Sequence, residues 1–442
     1  MSRHAPASLW IRGGRVLDPE SGRDEIGDVL IRGGLIAAAG AAPPAGTPAL
    51  DAAGLVVAPG LIDMHVHLRD PGETGKESIA TGTAAAAHGG FTSVVCMPNT
   101  IPVADHGGII EYIRAEAARR GLVRVFPTGS ITVGLAGERM TEIGDLKASG
   151  AVALTDDGHC VQNHELMRRA LQYAKHFALP VLDHCQDYSL SAGGVMHEGY
   201  WSTVLGLRGM SPLAEELIVA RNVLLAEACG GDLHVQHIST RGAVELVRQA
   251  RTRGVRITAE VTPHHLMFTD ADVKGYDTDF KMNPPLRSKA DVEALLAGLA
   301  DGTITVLASD HAPHHAHQKD VEFDLAPFGV VGLETAVPAY LDRLLHAGVM
   351  SLPALVAAMT LHPARLLRLP IGRLSPGAPG DVTILDPERD VVVDTASFVS
   401  CSRNSPFQGL RLKGDAVATI VAGNVVMNRI DPRRPIVPEP CR

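Results

Sequence analysis

The sequence predicts an α/β fold: a TIM-like (β/α)₈ barrel with a small β-sandwich domain built from both chain ends. Three observations predict it. Eight apolar, strand-like runs alternate with helical patterns between residues 58 and 368. Glycine-punctuated strands occupy residues 8–57 and again 381–427. Side chains that can bind metal stand at the C-terminal ends of five of the eight runs.

Residues 9–12, Gly13-Gly14 and 15–17 read as one hairpin; 28–32, Gly33-Gly34 and 35–39 read as another. Similar strands return at 381–385, 391–393, 409–413 and 416–427. Two such segments most simply form one sheet domain, residues 1–57 and 369–442, with a catalytic barrel at 58–368 inserted between them. The barrel runs are 61–67, 92–97, 123–128, 151–155, 180–184, 233–237, 255–261 and 304–309. Helical patterns follow at 77–88, 108–120, 163–177, 212–228, 241–253, 289–300 and 351–368, with a weaker one at 142–148. Insertions fall near 186–211 and 264–288, and 374–380 reads as a Pro/Gly linker. An open doubly wound sheet is the competing architecture, but no Gly-x-Gly-x-x-Gly follows the first run.

The 442 residues are 45% hydrophobic, ample for a globular core. A net charge of -9 and a pI near 6.1 argue against nucleic-acid binding. Cys96, Cys160, Cys185, Cys229, Cys401 and Cys441 form no Cys-x-x-Cys pair and no disulfide framework, which fits a reducing cytosol. Met1-Ser-Arg-His-Ala-Pro6 shows no signal-peptide pattern, and no run is long enough to span a membrane. A cytoplasmic protein is expected.

The first run closes on His65, His67 and Arg69, which a strand's period of two places on one face. The other rim positions are Thr155-Asp156-Asp157-Gly158, Asp183-His184, Gln236-His237 and Ser309-Asp310-His311. Imidazole and carboxylate without thiolate suit zinc in a hydrolytic role, with manganese or cobalt able to substitute. Four histidines and two aspartates exceed one tetrahedral ion with an open position. They suit two ions sharing a carboxylate, His65 and His67 on one and His184 and His237 on the other. Such a pair makes hydroxide available near neutral pH, and Asp310 is the candidate to carry its proton to a leaving nitrogen.

With these residues in view, the chain resembles the amidohydrolase superfamily and, within it, dihydroorotases of the bacterial class I type. Gly60-Leu-Ile-Asp-Met-His-Val-His-Leu-Arg69, Asp70-Pro-Gly-Glu-Thr-Gly-Lys-Glu77, Met97-Pro-Asn-Thr100, Lys281-Met-Asn-Pro-Pro-Leu-Arg287 and Ala308-Ser-Asp-His-Ala-Pro-His314 carry the resemblance. It implies metal ligands at His65, His67, Asp157, His184, His237 and Asp310, with one or two zinc ions and a binuclear centre favoured. Asp157 is preferred to Asp156 because the family's ligand directly precedes the glycine. The bridging lysine common in the superfamily has no counterpart at 151–158, which speaks against a hydantoinase, dihydropyrimidinase or allantoinase. The implied reaction is reversible hydrolysis of (S)-dihydroorotate to N-carbamoyl-L-aspartate in pyrimidine (UMP) biosynthesis. Substrate contacts are implied at His67, Arg69, Asn99, Asn283, His314, Phe328 and Gly329. Homodimerisation and association with aspartate transcarbamoylase are also expectations; a non-catalytic scaffold is disfavoured because every ligand position is filled.

Overall fold

The computed structural model describes residues 7–430, 436 and 437. The Met1–Pro6 stretch and Cys441 discussed above lie outside the described residues. Strands β1 (Leu9–Asp18), β2 (Arg23–Arg32), β3 (Leu35–Ile36), β4 (Ala49–Asp51) and β5 (Val56–Pro59) come first. The hairpin expected at Gly13-Gly14 does not form. Instead β1 runs through as one strand, with a bulge between Ile11 and Gly14 where it pairs with β2. Gly13 takes the left-handed backbone (φ +66) that a bulge residue adopts, and a Cβ on Gly14 would sit 2.5 Å from Val57. The second hairpin does form, with Ile31 opposite Ile36.

The barrel staves are β6 (Leu61–Val66), β7 (Phe91–Cys96), β8 (Arg124–Pro127) and β9 (Val181–Asp183). After a short insertion pair, β10 (Met196–His197) with β11 (Gly209–Met210), come β12 (Leu233–Val235), β13 (Ile257–Val261) and β14 (Val306–Leu307). All stave pairings are parallel, in the orders β6-β7-β8 and β9-β12-β13-β14. Three single-residue bridges close the ring: Leu154 pairs with both Gly129 and Val181, and His311 pairs with Val66. The run at 151–155 is therefore a bridge rather than a regular strand. Its amides are still satisfied, Val152 N–H donating to Pro127 O and Leu154 N–H to Pro180 O, each at 3.0 Å.

Helices Ile79–His88, Gly107–Arg120, His164–His176, Leu213–Cys229, Arg241–Thr252 and Lys289–Ala300 clothe the barrel. Arg241–Thr252 shows why: Ala243, Val244, Val247 and Ala250 form one buried stripe at helical spacing. The single helix expected at 351–368 is two, Leu352–Ala358 and Leu361–Leu366, because Thr360 leaves helical geometry (φ −134, ψ −76). That break frees the Met359 carbonyl to accept from Ile62 N–H at the start of β6, 2.7 Å away. Several short helices were not expected, among them Ala336–Tyr340, where Pro338 masks the pattern. Its Tyr340 hydroxyl donates to the carbonyls of Val261 and Ala308, tying β13 to the loop after β14.

β15 (Val382–Val392), β16 (Arg411–Val421) and β17 (Asn424–Asn428) complete the second domain. The sheet order β17-β16-β15-β5-β1-β2-β3 interleaves the two chain ends, with β4 on β1. Ile11, Val29, Ile31 and Val57 share one core with Val382, Ile384 and Ile420. The segment 374–380 is not a free linker: Leu374 and Ala378 are buried in that core, and Ile36 N–H donates to Ala378 O at 2.8 Å. Cys96, Cys160, Cys185 and Cys229 are free thiols as expected, whereas Cys401 is disulfide-bonded.

Candidate metal centre

The six expected ligands converge on one buried cluster at the C-terminal rim of the barrel. Asp157 is its hub. Its carboxylate lies 3.2 Å from His65 Nε2, 3.4 Å from His67 Nε2, 3.8 Å from His184 Nδ1 and 3.7 Å from His237 Nε2. Asp310 Oδ1 lies 3.1 Å from His67 Nε2 and 3.5 Å from His65 Nε2. Donor atoms of His65, His67 and Asp157 lie within 4.8 Å of one another, as do those of Asp157, His184 and His237, and those of His65, His237 and Asp310.

The outward-facing ring nitrogens show what the inward ones are for. His65 Nδ1 contacts Glu260 Oε1 at 2.5 Å, His67 Nδ1 contacts Asn99 Oδ1 at 2.9 Å, and His184 Nε2 contacts Gln186 Oε1 at 2.8 Å. Those oxygens accept, so each ring carries its proton on the outside and turns a lone pair inward. Inside, His65 Nε2 and Asp157 Oδ1 are buried without a hydrogen-bond partner. Lone pairs and carboxylate oxygens facing one another are costly unless a cation lies between them. The donor set therefore fits divalent metal, and two overlapping groups around one carboxylate fit two ions.

Electrostatics agree. Burial alone would lower the His65 pKa, but Asp157, Asp310 and Glu260 hold it well above the ordinary imidazole value. Burial alone would raise Asp157 and Asp310, but the surrounding histidines, His65 foremost, hold both carboxyls below their usual range. The centre is built for positive charge. His184 goes the other way: burial, then His237, pushes it down to about 4. Two of the six ligands sit in strained left-handed backbone, His237 at φ +29 and Asp310 at φ +48, as does Arg69 at φ +57.

Asp156 is occupied elsewhere, accepting from Ile131 N–H, Thr132 N–H and the Thr132 hydroxyl. It holds the rim loop while Asp157 faces the centre. Lys147 stands exposed on helix Ile143–Ser149.

Above the cluster is a cavity of about 360 Å³. Every expected substrate contact lines it: His67, Arg69, Asn99, Asn283, His314, Phe328 and Gly329. Three details differ from the sequence reading. β6 ends at Val66, so Arg69 reaches the cavity through its left-handed turn and not through strand parity. His314 Nε2 donates to Phe328 O at 2.8 Å, so the neutral ring offers Nδ1 as an acceptor rather than a donor. Gly329 N–H is already spent on Lys281 O at 3.0 Å, and Gly329 O accepts from Asn404 Nδ2. Among the described residues nothing accepts from the Asn99 amide, whose Nδ2 would lie 3.2 Å from a Cβ on Gly158. Asn283 Nδ2 donates to Gln186 Oε1 at 2.8 Å.

Sequence reasoning missed Glu260, Gln186 and Asn404. Glu260 carried a signal, being a lone carboxylate in the apolar run 255–261. It is fully buried and also contacts His234 Nε2 at 3.1 Å. Gln186 and Asn404, in loops, carried none.

Residues 54–243 match a family model described as dihydro-orotase-like. The chain is 57% identical over 420 residues to a dihydroorotase from Pelotomaculum thermopropionicum, covering 95% of this chain and 98% of the relative. The chain belongs to the dihydroorotase family. It is thus a metal-dependent cyclic amide hydrolase of the amidohydrolase superfamily. A dihydroorotase from Geobacter sp. strain M21 is 54% identical over 421 residues, 95% of this chain and 99% of the relative. Among solved structures, L-hydantoinase (dihydropyrimidinase) from Arthrobacter aurescens superposes with TM-score 0.85 at 26% identity, covering 96% of each chain. Dihydroorotase-family sequence thus sits on an architecture shared with hydantoinases, barrel and terminal sheet domain included. Among the described residues no helix is long and apolar enough to cross a membrane.

Proposed function

We propose that this chain hydrolyses the ring amide of (S)-dihydroorotate to N-carbamoyl-L-aspartate, and closes the ring in reverse, as a step of pyrimidine synthesis. In this reading two zinc ions are held by His65, His67, Asp157, His184, His237 and Asp310. The observation that carries it is the convergence of donor atoms from all six residues around Asp157, directly beneath a cavity walled by Arg69.

When bound, the metal pair supplies a water ionised near neutral pH and a Lewis acid for the amide carbonyl. The chain does the rest. Arg69 pairs with the substrate carboxylate, and Asn99 adds an N–H donor. Asn283 Oδ1, left free when its Nδ2 donates to Gln186, accepts from the ring N–H. Phe328 and Gly329 wall the ring, while His314 Nδ1 offers an acceptor. Asp310 takes the proton released as the amide carbon is attacked and returns it to the departing ring nitrogen. We assign residues 58–368 to this chemistry, and 1–57 with 369–442 to the supporting domain. A homodimer would find an apolar surface on helix Leu213–Cys229, where Leu213, Leu217 and Leu224 are exposed.

The test is metal analysis together with turnover of dihydroorotate, hydantoin and allantoin. Two ions per chain and a preference for dihydroorotate are expected, with activity lost to a chelator and restored by zinc, cobalt or manganese. Protonation of carbamoyl aspartate favours cyclisation, so ring closure should gain at mildly acid pH and ring opening at alkaline pH. Preferential turnover of hydantoin or allantoin would overturn the reading.

A further inference from the structure

The loop from Lys319 to Gly329 ends in Pro327-Phe328-Gly329, one wall of the cavity. Two lysines hold it, and neither has a part in the chemistry above. Lys319 Nζ donates to three main-chain carbonyls, those of Lys281 (3.3 Å), Pro327 (3.1 Å) and Gly329 (3.0 Å). Lys281 Nζ donates to the carbonyls of Phe323 (2.7 Å) and Asp324 (3.0 Å) and lies 4.7 Å from the Phe328 ring centroid. Gly329 N–H returns a bond to Lys281 O, so the two lysines brace the same stretch.

Both side chains are buried, Lys281 at 2% and Lys319 at 6% exposure. Among the described residues neither ammonium forms an ion pair: Asp324 bonds Lys281 through its carbonyl, and the carboxylates of Asp324 on Lys281 and of Asp279 and Asp277 on Lys319 act from beyond ion-pair distance. A buried ammonium is ordinarily paired, because carbonyl dipoles solvate it without cancelling its charge. A Met or Gln would fill the same space without that cost, so the charge itself calls for an explanation. Burial lowers both groups only to about 8, which leaves them cationic near neutrality. The Lys319 charge also reaches the cavity: burial, then Arg69, then Lys319, pushes His314 down to about 3.

We propose that Lys281 and Lys319 are positioning residues that clamp the 319–329 loop as a wall of the cavity, and that their charge, held without an ion pair, selects a cyclic amide bearing a carboxylate over a neutral ring. The inference rests on the substrate class proposed above and adds two residues to its recognition. No covalent step is involved.

The test uses the full, metal-loaded chain carrying Lys319→Met or Lys281→Met. KM and kcat for dihydroorotate are measured beside the competitive inhibition constant of neutral dihydrouracil, and cleavage by a Glu-specific protease at Glu322 reports the loop. For each variant, KM should rise about tenfold while kcat changes less than about threefold. Dihydrouracil inhibition should stay within about twofold, metal content should hold, and cleavage at Glu322 should quicken. Equal weakening of dihydroorotate and dihydrouracil would overturn the charge selection, and unchanged cleavage would overturn the clamp. If either methionine variant fails to fold, Lys319→Gln keeps N–H donors without charge; a KM left at the wild-type value there overturns the proposal. Wild-type turnover is run in parallel. If the wild type ignores dihydroorotate, the functional reading and the charge selection fail together, and the protease readout still decides the clamp.

Discussion

His65 and His67 reach the metal centre from the end of one strand, whereas His184 and His237 come from the ends of two, β9 and β12, and face each other at 2.9 Å. Behind His65 in the first pair stands a buried carboxylate, Glu260, itself braced by His234, whose Nδ1 contacts the Thr258 hydroxyl at 2.7 Å, while His67 rests on the Asn99 amide. Behind the His184 ring stands an amide, Gln186, on a half-buried loop and donating to the Ser191 hydroxyl; Glu260 reaches this pair only through the His237 main-chain N–H, 3.3 Å away. A carboxylate partner makes an imidazole more basic and fixes its ring; an amide fixes the ring with less charge. The comparison teaches that one half of the centre is preset by the barrel interior and the other by the rim loops. The first half should therefore hold its ion more tightly.

The residue common to both halves should show the largest effect. Asp157→Asn is expected to cut turnover at least about a thousandfold and to leave fewer than two ions per chain. Elemental analysis beside steady-state kinetics checks this, and a variant that keeps both ions would show that Asp157 is no bridge.

Next comes the contrast itself. Glu260→Gln should weaken the tighter metal site by about 10- to 100-fold, and Gln186→Leu should weaken the looser one by no more than about tenfold. Competition against a chromophoric chelator reads both. Equal losses would dissolve the distinction between the halves.

A stability measurement probes the insertion that backs the second half. His197, on β10, accepts from Arg287 Nη1 at 3.3 Å, and burial, then Arg287, pushes its pKa to about 4. Its unfolded value is 6.5, so between those values the unfolded chain binds the extra proton. The contribution is present above pH 6.5 and is lost as pH falls toward 4, on the order of 3 kcal/mol in all. Urea unfolding at pH 7 and 4.5 should show a shallower acid loss for His197→Asn than for wild type. Parallel losses would remove His197 from the account.

The same contrast explains what could be read from the chain beforehand. His65 and His67 are adjacent in a strand, so local periodicity alone orients them. Arg69 seemed to follow the same rule and does not, because β6 stops at Val66 and the backbone reverses hand. Gly13-Gly14 was read as a turn and is a bulge, since strand residues on either side, Ile11 and Val16, belong to one core. Glu260 was passed over because its partner, His65, lies 195 positions away. The glycine after Asp157 marks it as the ligand over Asp156, and the contacts with Ile131 and Thr132 show what Asp156 does instead.

The sequence by itself determined the alternation of strands and helices, the ring of histidines and aspartates at the strand ends, and the family motifs. These depend on side-chain period and spacing, which are local. Tertiary structure decided which nitrogen of each histidine faces inward, what Asp156 holds, and how two lysines brace the loop that walls the cavity. Those depend on hydrogen bonds between residues far apart in the chain, and no local pattern encodes a partner that arrives only when the barrel closes.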